Sequence, residues 1–254
     1  MSQPLAERVG VVTGASRGIG AATAGALAEA GMAVVLGARR APDLMAVRDR
    51  IRQAGGRAEA IVTDLRDPDQ VTALVDGAVE RFGRLDALVN NAAVGHLRTI
   101  AEGRLDEWRA VLDTNLLGTL VACRAALGHM LPRGRGDIVM MGSAAAAEPW
   151  PYLGAYAASK AAIVALARSL RAEVAARGIR VMTVEIHNVA GTGFSDSFDP
   201  ELLPAALQRW TELGVLNPQA PNISPEAVAR AVVFQLAQPE PASIHSVVVR
   251  SREN

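Results

Sequence analysis

The sequence predicts an α/β fold, a doubly wound parallel sheet of about seven strands with helices on both faces. Three observations carry this. Short β-branched runs alternate with longer Ala-rich segments throughout the 254 residues. The strand candidates read as continuous apolar runs, as strands buried on both faces do. A Gly-rich turn, Thr13-Gly14-Ala15-Ser16-Arg17-Gly18-Ile19-Gly20, joins the first strand to the first helix, where such folds approach a pyrophosphate with backbone amides.

The elements follow in order. Val9–Thr13 reads as the first strand. Ile19, Thr23, Ala26, Leu27 and Ala30 recur at helical spacing, and Gly31 supplies a stop. A second strand at 33–37 leads to a helix at 43–54, ended by Gly55-Gly56. Ala58–Val62 is the third strand. Asp67 before Pro68 reads as a cap followed by the first helical position, opening a helix over 68–82. A fourth strand at 85–90, a long helix at 104–131 and a fifth strand at 137–141 come next. The helix at 155–177 is followed by Gly178, and Ile179–Ile186 is the sixth strand. The stretch 193–223 carries four prolines around a short helix at 201–213. Ser224-Pro225-Glu226 opens a last helix to about 237, and 245–250 is a final strand.

Composition narrows the function. Half of the residues are hydrophobic and 20% charged, as in a soluble globular protein with a large core. Basic and acidic residues balance at 26 each, so no charge excess points to nucleic acid or an anionic membrane. Cys123 is the single cysteine; it excludes a disulfide framework and a thiolate cluster and reads as a small buried hydrophobe. No signal peptide and no run of about 18 uninterrupted apolar residues is read. A cytoplasmic protein without a membrane span is expected.

Tyr156 and Lys160 stand four apart on a predicted helix, hence on one face. An ammonium beside a phenol favours the phenolate, which makes tyrosine a usable acid/base. Ser143 closes the fifth strand at its C-terminal end, where ligands of open α/β sheets bind; it reads as a holder of the substrate oxygen or as a turn cap. Asn115 lies mid-helix, where asparagine is an indifferent former; it reads as marking a kink or as a partly exposed polar position.

The series Thr-Gly-x-x-x-Gly-x-Gly, Asn90-Asn91-Ala92-Ala93, Asn115, Ser143 and Tyr156-x-x-x-Lys160 resembles, in order and across the whole chain, the motifs of the short-chain dehydrogenase/reductase family. The resemblance implies one Rossmann-fold domain over 1–254 that moves a hydride between a nicotinamide dinucleotide and a ketone, aldehyde or secondary alcohol. It implies that Tyr156 is the general acid/base and that Lys160 lowers the tyrosine pKa and binds the nicotinamide ribose. Ser143 would assist at the substrate oxygen, and Asn115 would relay protons to Lys160 through water. It assigns cofactor contacts to Gly14, Ser16, Arg17, Gly18, Ile19, Gly20, Asn91, Ala92 and Thr192, and adenine contacts to Asp64 and Leu65. Asp64 also reads as a helix-entry aspartate. Family members are similarly dimers or tetramers through the helix at 155–177, whose apolar residues cover more than one face, so a homodimer or homotetramer is expected.

Charge distinguishes the dinucleotides. An NAD enzyme of this fold carries an acid at the end of the second strand. Here that end reads Leu36-Gly37-Ala38-Arg39-Arg40. Arg39 and Arg17 suit a 2′-phosphate, so NADP is the expected cofactor, unless both arginines merely face solvent. One stretch departs from the family. Ile186-His187 stands where Pro-Gly is usual, with Thr192 retained. Either His187 faces nicotinamide or substrate, or the loop is remodelled with reduced cofactor affinity. The segment 193–223 is expected to act as a substrate lid. Phe194, Phe198 and Trp210 within it, with Trp150, are read as anchors of an apolar substrate pocket or as core. Two other functions share these parts: a reductase of 3-oxoacyl groups on acyl-carrier protein, and a non-catalytic NADP(H)-binding protein.

Overall fold

The computed structural model describes residues 4–252. One sheet runs through it, all parallel, in the order β3-β2-β1-β4-β5-β6-β7. Its strands are β1 (Val9–Thr13), β2 (Ala33–Ala38), β3 (Ala58–Val62), β4 (Ala87–Asn90), β5 (Gly136–Met141), β6 (Ile179–Ile186) and β7 (Ser246–Val249). The helices are α1 (Gly18–Glu29), α2 (Ala41–Gln53), α3 (Pro68–Phe82), α4 (Leu105–Leu112), α5 (Gly118–Met130), α6 (Gly154–Val174), α7 (Leu203–Glu212) and α8 (Pro225–Leu236). The chain leaves β1 toward β2 on one side and reaches β4 on the other, so a cleft opens between the C-terminal ends of these strands.

Alternate strand residues feed two cores. Val12, Leu36, Val89, Val139 and Val184 pack under α1, α2 and α8. Val11, Val35, Leu88, Ile138 and Val181 pack under α3, α5 and α6. Burial on both faces is why these strands read as unbroken apolar runs. Asp67 caps α3 by accepting from the amides of Asp69 and Gln70 at 3.0 and 3.2 Å, and Gly83 ends it in the left-handed region at φ 78°. Ser224 caps α8 in the same way.

The expected long helix at 104–131 is two helices joined by one π turn, Asp113–Leu117. Leu105–Arg133 is long and apolar enough to cross a membrane by length and composition, which a search for uninterrupted apolar runs does not register. Here it flanks the sheet, burying Ala122, Cys123, Ala126 and Met130 in the core. Burial pushes the Cys123 thiol up to about 12, so its reading as a buried hydrophobe holds. Far from the cleft, two buried carboxylates hold the other end of the sheet. Asp86 pairs with Arg84 and Arg133, and Asp137 with Arg8 and Arg180.

Candidate active site

A cavity of about 700 Å³ opens at the C-terminal ends of the strands. Its floor is the Gly-rich turn. Gly18 has φ +54°, and a Cβ there would lie 2.8 Å from the Thr192 backbone. A Cβ on Gly20 would strike the Gly14 carbonyl and lie 2.5 Å from the Asn91 amide nitrogen. Only glycine permits both the turn and this approach. The turn is tied to the end of β4: Asn91 donates from Nδ2 to the Thr13 and Gly14 carbonyls at 2.8 and 3.3 Å. The Thr13 hydroxyl accepts from the Asn91 and Ala92 amides. Substituting Gly20→Ala should therefore displace the turn. The overpacking cost is about 1–3 kcal/mol, read as a fall in Tm together with at least a tenfold weaker dinucleotide affinity, about 1.4 kcal/mol, by fluorescence titration.

This cradle fits a dinucleotide. Gly14, Ser16, Ile19 and Gly20 line it, with Asn91, Ala92 and Thr192 beside them. Arg39, Asp64 and Leu65 line the far end. Arg39 is exposed there and forms no ion pair among the described residues, while Arg40 pairs with Asp43. Arg17 lines the cavity as well; its guanidinium pairs with Asp196 and donates to the Gly193 carbonyl at 2.8 Å, so it also ties the turn to the 193–198 segment. Asp64 is not the helix-entry residue, since Asp67 is. Its carboxylate is clasped by Arg66 at 2.6 Å, and that hydrogen bond holds it below the usual carboxylate range.

At the other end Tyr156, Lys160 and Ser143 face the same cavity, 8, 4 and 9% exposed respectively. Tyr156 and Lys160 share a face of α6, with Lys160 Nζ 5.8 Å from the phenol ring centre. Lys160 donates to the Met141 carbonyl at the end of β5, at 2.8 Å. Burial pulls its pKa down to about 8. Burial raises that of Tyr156, and the hydrogen bond with Ser143 pulls it back. The lysine effect expected on the phenol is thus opposed by desolvation, which acts against both charged forms. Ser143 is a turn cap, accepting from the Ala145 amide at 3.2 Å, and its hydroxyl also bonds the phenol.

Asn115 sits in the π turn, buried at 2% exposure. A π turn stands where a kink was expected, and the exposed alternative is not found. Its side chain accepts from the Val94 amide at 2.9 Å and donates to the Val94 carbonyl and the Ser159 hydroxyl, both at 3.0 Å. Ser159 in turn donates to the Tyr156 carbonyl at 2.7 Å. No hydrogen bond joins Asn115 to Lys160 among the described residues. Asn115 pins the loop after β4 to the helix that carries Tyr156. Sequence reasoning missed Thr13, Ser159, Arg66 and Asp196 here; Thr13 and Ser159 lie inside the motifs that were read, but their roles depend on partners distant in sequence.

His187 lines the cavity with a side chain 7% exposed, its Nε2 3.8 Å from Glu185. Its amide continues the β6–β7 ladder by donating to Val249 at 3.1 Å. The segment from 193 folds over the cavity. Its base is pinned by a bridge between Val189 and Ile223. Ser197 donates to the Gly95 carbonyl at 3.0 Å, and Arg98 pairs with Asp199. Phe194 stacks at 4.8 Å on Tyr156. The other three histidines form no metal cluster; no group of three potential ligands occurs among the described residues.

Residues 8–202 match the model of the short chain dehydrogenase family. A glycine betaine reductase from Emericella nidulans is 37% identical over 98% of this chain, which spans only 19% of that protein's length. A cis-4-hydroxycyclohexanecarboxylate dehydrogenase from Sinomonas cyclohexanicum is 39% identical over 92% of this chain and 91% of its own. Among solved structures, a metagenomic short-chain oxidoreductase in complex with NADP superposes with a TM-score of 0.81 at 33% identity, covering 97% of this chain and 98% of that one. The motif order, the strand order and these relatives agree: the chain belongs to the short-chain dehydrogenase/reductase family of oxidoreductases.

Proposed function

We propose that this protein is an NADP(H)-dependent oxidoreductase acting on a small ketone, aldehyde or secondary alcohol, with Tyr156 as general acid/base. The observation that carries the reading is Tyr156, Lys160 and Ser143 converging at one end of a cavity whose other end is a glycine cradle. Bound NADPH supplies a hydride to the carbonyl carbon. The Tyr156 hydroxyl gives its proton to the carbonyl oxygen, and the Ser143 hydroxyl holds that oxygen. Lys160 balances the phenolate left behind. Asn115, through Ser159, positions the backbone of Tyr156. The lid rings exclude water from the reacting atoms. Two relatives are named for glycine betaine and for a hydroxycyclohexane carboxylate; both are small molecules, which favours a small substrate here. Turnover of a panel of carbonyl compounds with NADPH tests the reading; no turnover of any member, by a protein that binds NADPH, would leave it without support.

The preference for NADP rests on Arg39 and on the absence of an acid at the end of β2, which reads Ala38-Arg39-Arg40. Arg39→Ala should weaken NADPH by about tenfold or more, the loss of one charge-assisted phosphate contact, and NADH little. Equal losses in parallel titrations would remove Arg39 as the 2′-phosphate partner.

A homo-oligomer belongs to the same proposal. Leu105, Leu112, Leu117 and Leu120 are exposed along α4, the π turn and α5, and Ala158, Ala161 and Ala165 are exposed on α6. Phe234 on α8 and Val248 on β7 are exposed elsewhere. Apolar surface of this kind favours association, and light scattering should give a dimer or tetramer mass; a monomer at micromolar concentration would contradict it.

A further inference from the structure

We propose that the carbonyl substrate of this site carries a quaternary ammonium group, held against the faces of the aromatic rings that line the substrate end. The inference rests on the oxidoreductase reading above and adds a substrate class to it. The chain has three Trp, two Tyr and four Phe. Five of these nine, Trp150, Tyr156, Phe194, Phe198 and Trp210, line the one cavity. Volume alone does not require rings, since leucine and valine fill apolar space and abound in this chain.

The rings are inclined to one another. Trp150 and Trp210 meet at 5.1 Å and 59°. Phe194 lies 4.8 Å from Tyr156 at 49°, and 5.2 Å from Phe198 at 78°. Rings so inclined cannot all cover each other's faces, so π surface is left toward the space between them. Trp210 is held in place by its indole N–H, which donates to the Pro151 carbonyl at 2.8 Å. The second wall starts at Tyr156, so a bound cation would lie a short chain away from the proton donor.

The polar groups discriminate among charged substrates. A carboxylate or phosphate needs fixed donors. Beyond Lys160, which the reaction engages, and Arg17, which pairs with Asp196, the donors there are the rings of His187 and Trp150, the Trp150 N–H being without a partner, the Asn188 amide and the hydroxyls of Ser143, Ser195 and Ser197, so no lysine or arginine is left at this end to balance an anion. A primary ammonium needs acceptors for three N–H groups. The Pro151 and Gly95 carbonyls each already accept one hydrogen bond, from Trp210 and Ser197, and no carboxylate lines this end. A quaternary ammonium has no N–H, spreads its charge over methyl groups and is stabilised by the negative faces of aromatic rings. The remaining rival is an uncharged apolar substrate of the same shape.

An isosteric pair separates the two. Betaine aldehyde and 3,3-dimethylbutanal differ in the quaternary centre, nitrogen in one and carbon in the other. In either reduction the aldehyde carbon takes a hydride from NADPH and the oxygen a proton through Tyr156, leaving the alcohol and NADP+. With rates referred to unhydrated aldehyde, kcat/KM should favour the charged compound by about tenfold or more. That ratio should collapse toward one in Trp150→Leu and, separately, in Phe198→Leu; two single variants guard against one that fails to fold. Equal rates, a preference for the neutral aldehyde, or reduction of neither by a protein that binds NADPH would overturn the quaternary ammonium. Reduction of the neutral aldehyde or of any other carbonyl would still leave the oxidoreductase reading standing, whereas failure across the whole panel would remove both.

Discussion

Tyr156→Phe is expected to lower turnover by about 10²–10⁴-fold, the usual worth of a positioned general acid, while NADPH binding is largely retained. The substitution removes one oxygen and keeps the ring. The packing on Phe194 at 4.8 Å and the place of the residue on α6 do not depend on that oxygen. Ser143 loses one partner but still accepts from the Ala145 amide, so the strand end stays formed. A drop in kcat with little change in NADPH affinity, by steady-state rates and titration in parallel, is the outcome required of a proton donor. Turnover equal to that of the parent would refute the role.

The second large effect concerns Lys160, which is 4% exposed and donates to a backbone carbonyl. Its pKa in the folded protein is about 8, against 10.5 for an ordinary lysine. Between these values the unfolded chain binds more protons than the native one, so stability rises with pH across this window. The cost of holding the ammonium buried is fully present below about pH 8 and is relieved toward pH 10.5, a difference of about 3 kcal/mol. Lys160→Met removes the charge and keeps a side chain of similar length. Denaturant titrations should show the parent gaining stability from pH 8 to 10.5 relative to this variant. The variant should also lose turnover at neutral pH, where the parent carries the charge that balances the Tyr156 phenolate. A stability difference that does not change with pH would mean that the lysine titrates as it does in water.

Much of this was readable from the chain because its signals are local. The cap Asp67-Pro68, the apolar run of β6 and the glycines of the first turn each act on neighbouring backbone. Tyr156 and Lys160 share a face because helical periodicity requires it. The π turn at 113–117 was legible only as a poor helix former at Asn115; its form is set by Val94 and Ser159, 21 and 44 residues away. The ion pair of Arg17 was not legible because its partner Asp196 lies 179 residues downstream. The ion pairs of the buried Asp86 and Asp137 were not legible, since Arg8, Arg133 and Arg180 come from other elements. The desolvation that opposes the lysine effect on Tyr156 comes from groups packed over the phenol from distant segments, Phe194 among them, and spacing carries no information about that.

The measurement that bears most directly on the account is a parallel titration of the purified protein with NADPH and NADH, followed by the fluorescence of Trp150, which lines the cavity. Tight NADPH binding with clearly weaker NADH is the predicted result, and the difference should vanish in Arg39→Ala. Binding of neither dinucleotide, or NADH binding as tightly as NADPH, would contradict the proposed NADP(H)-dependent site.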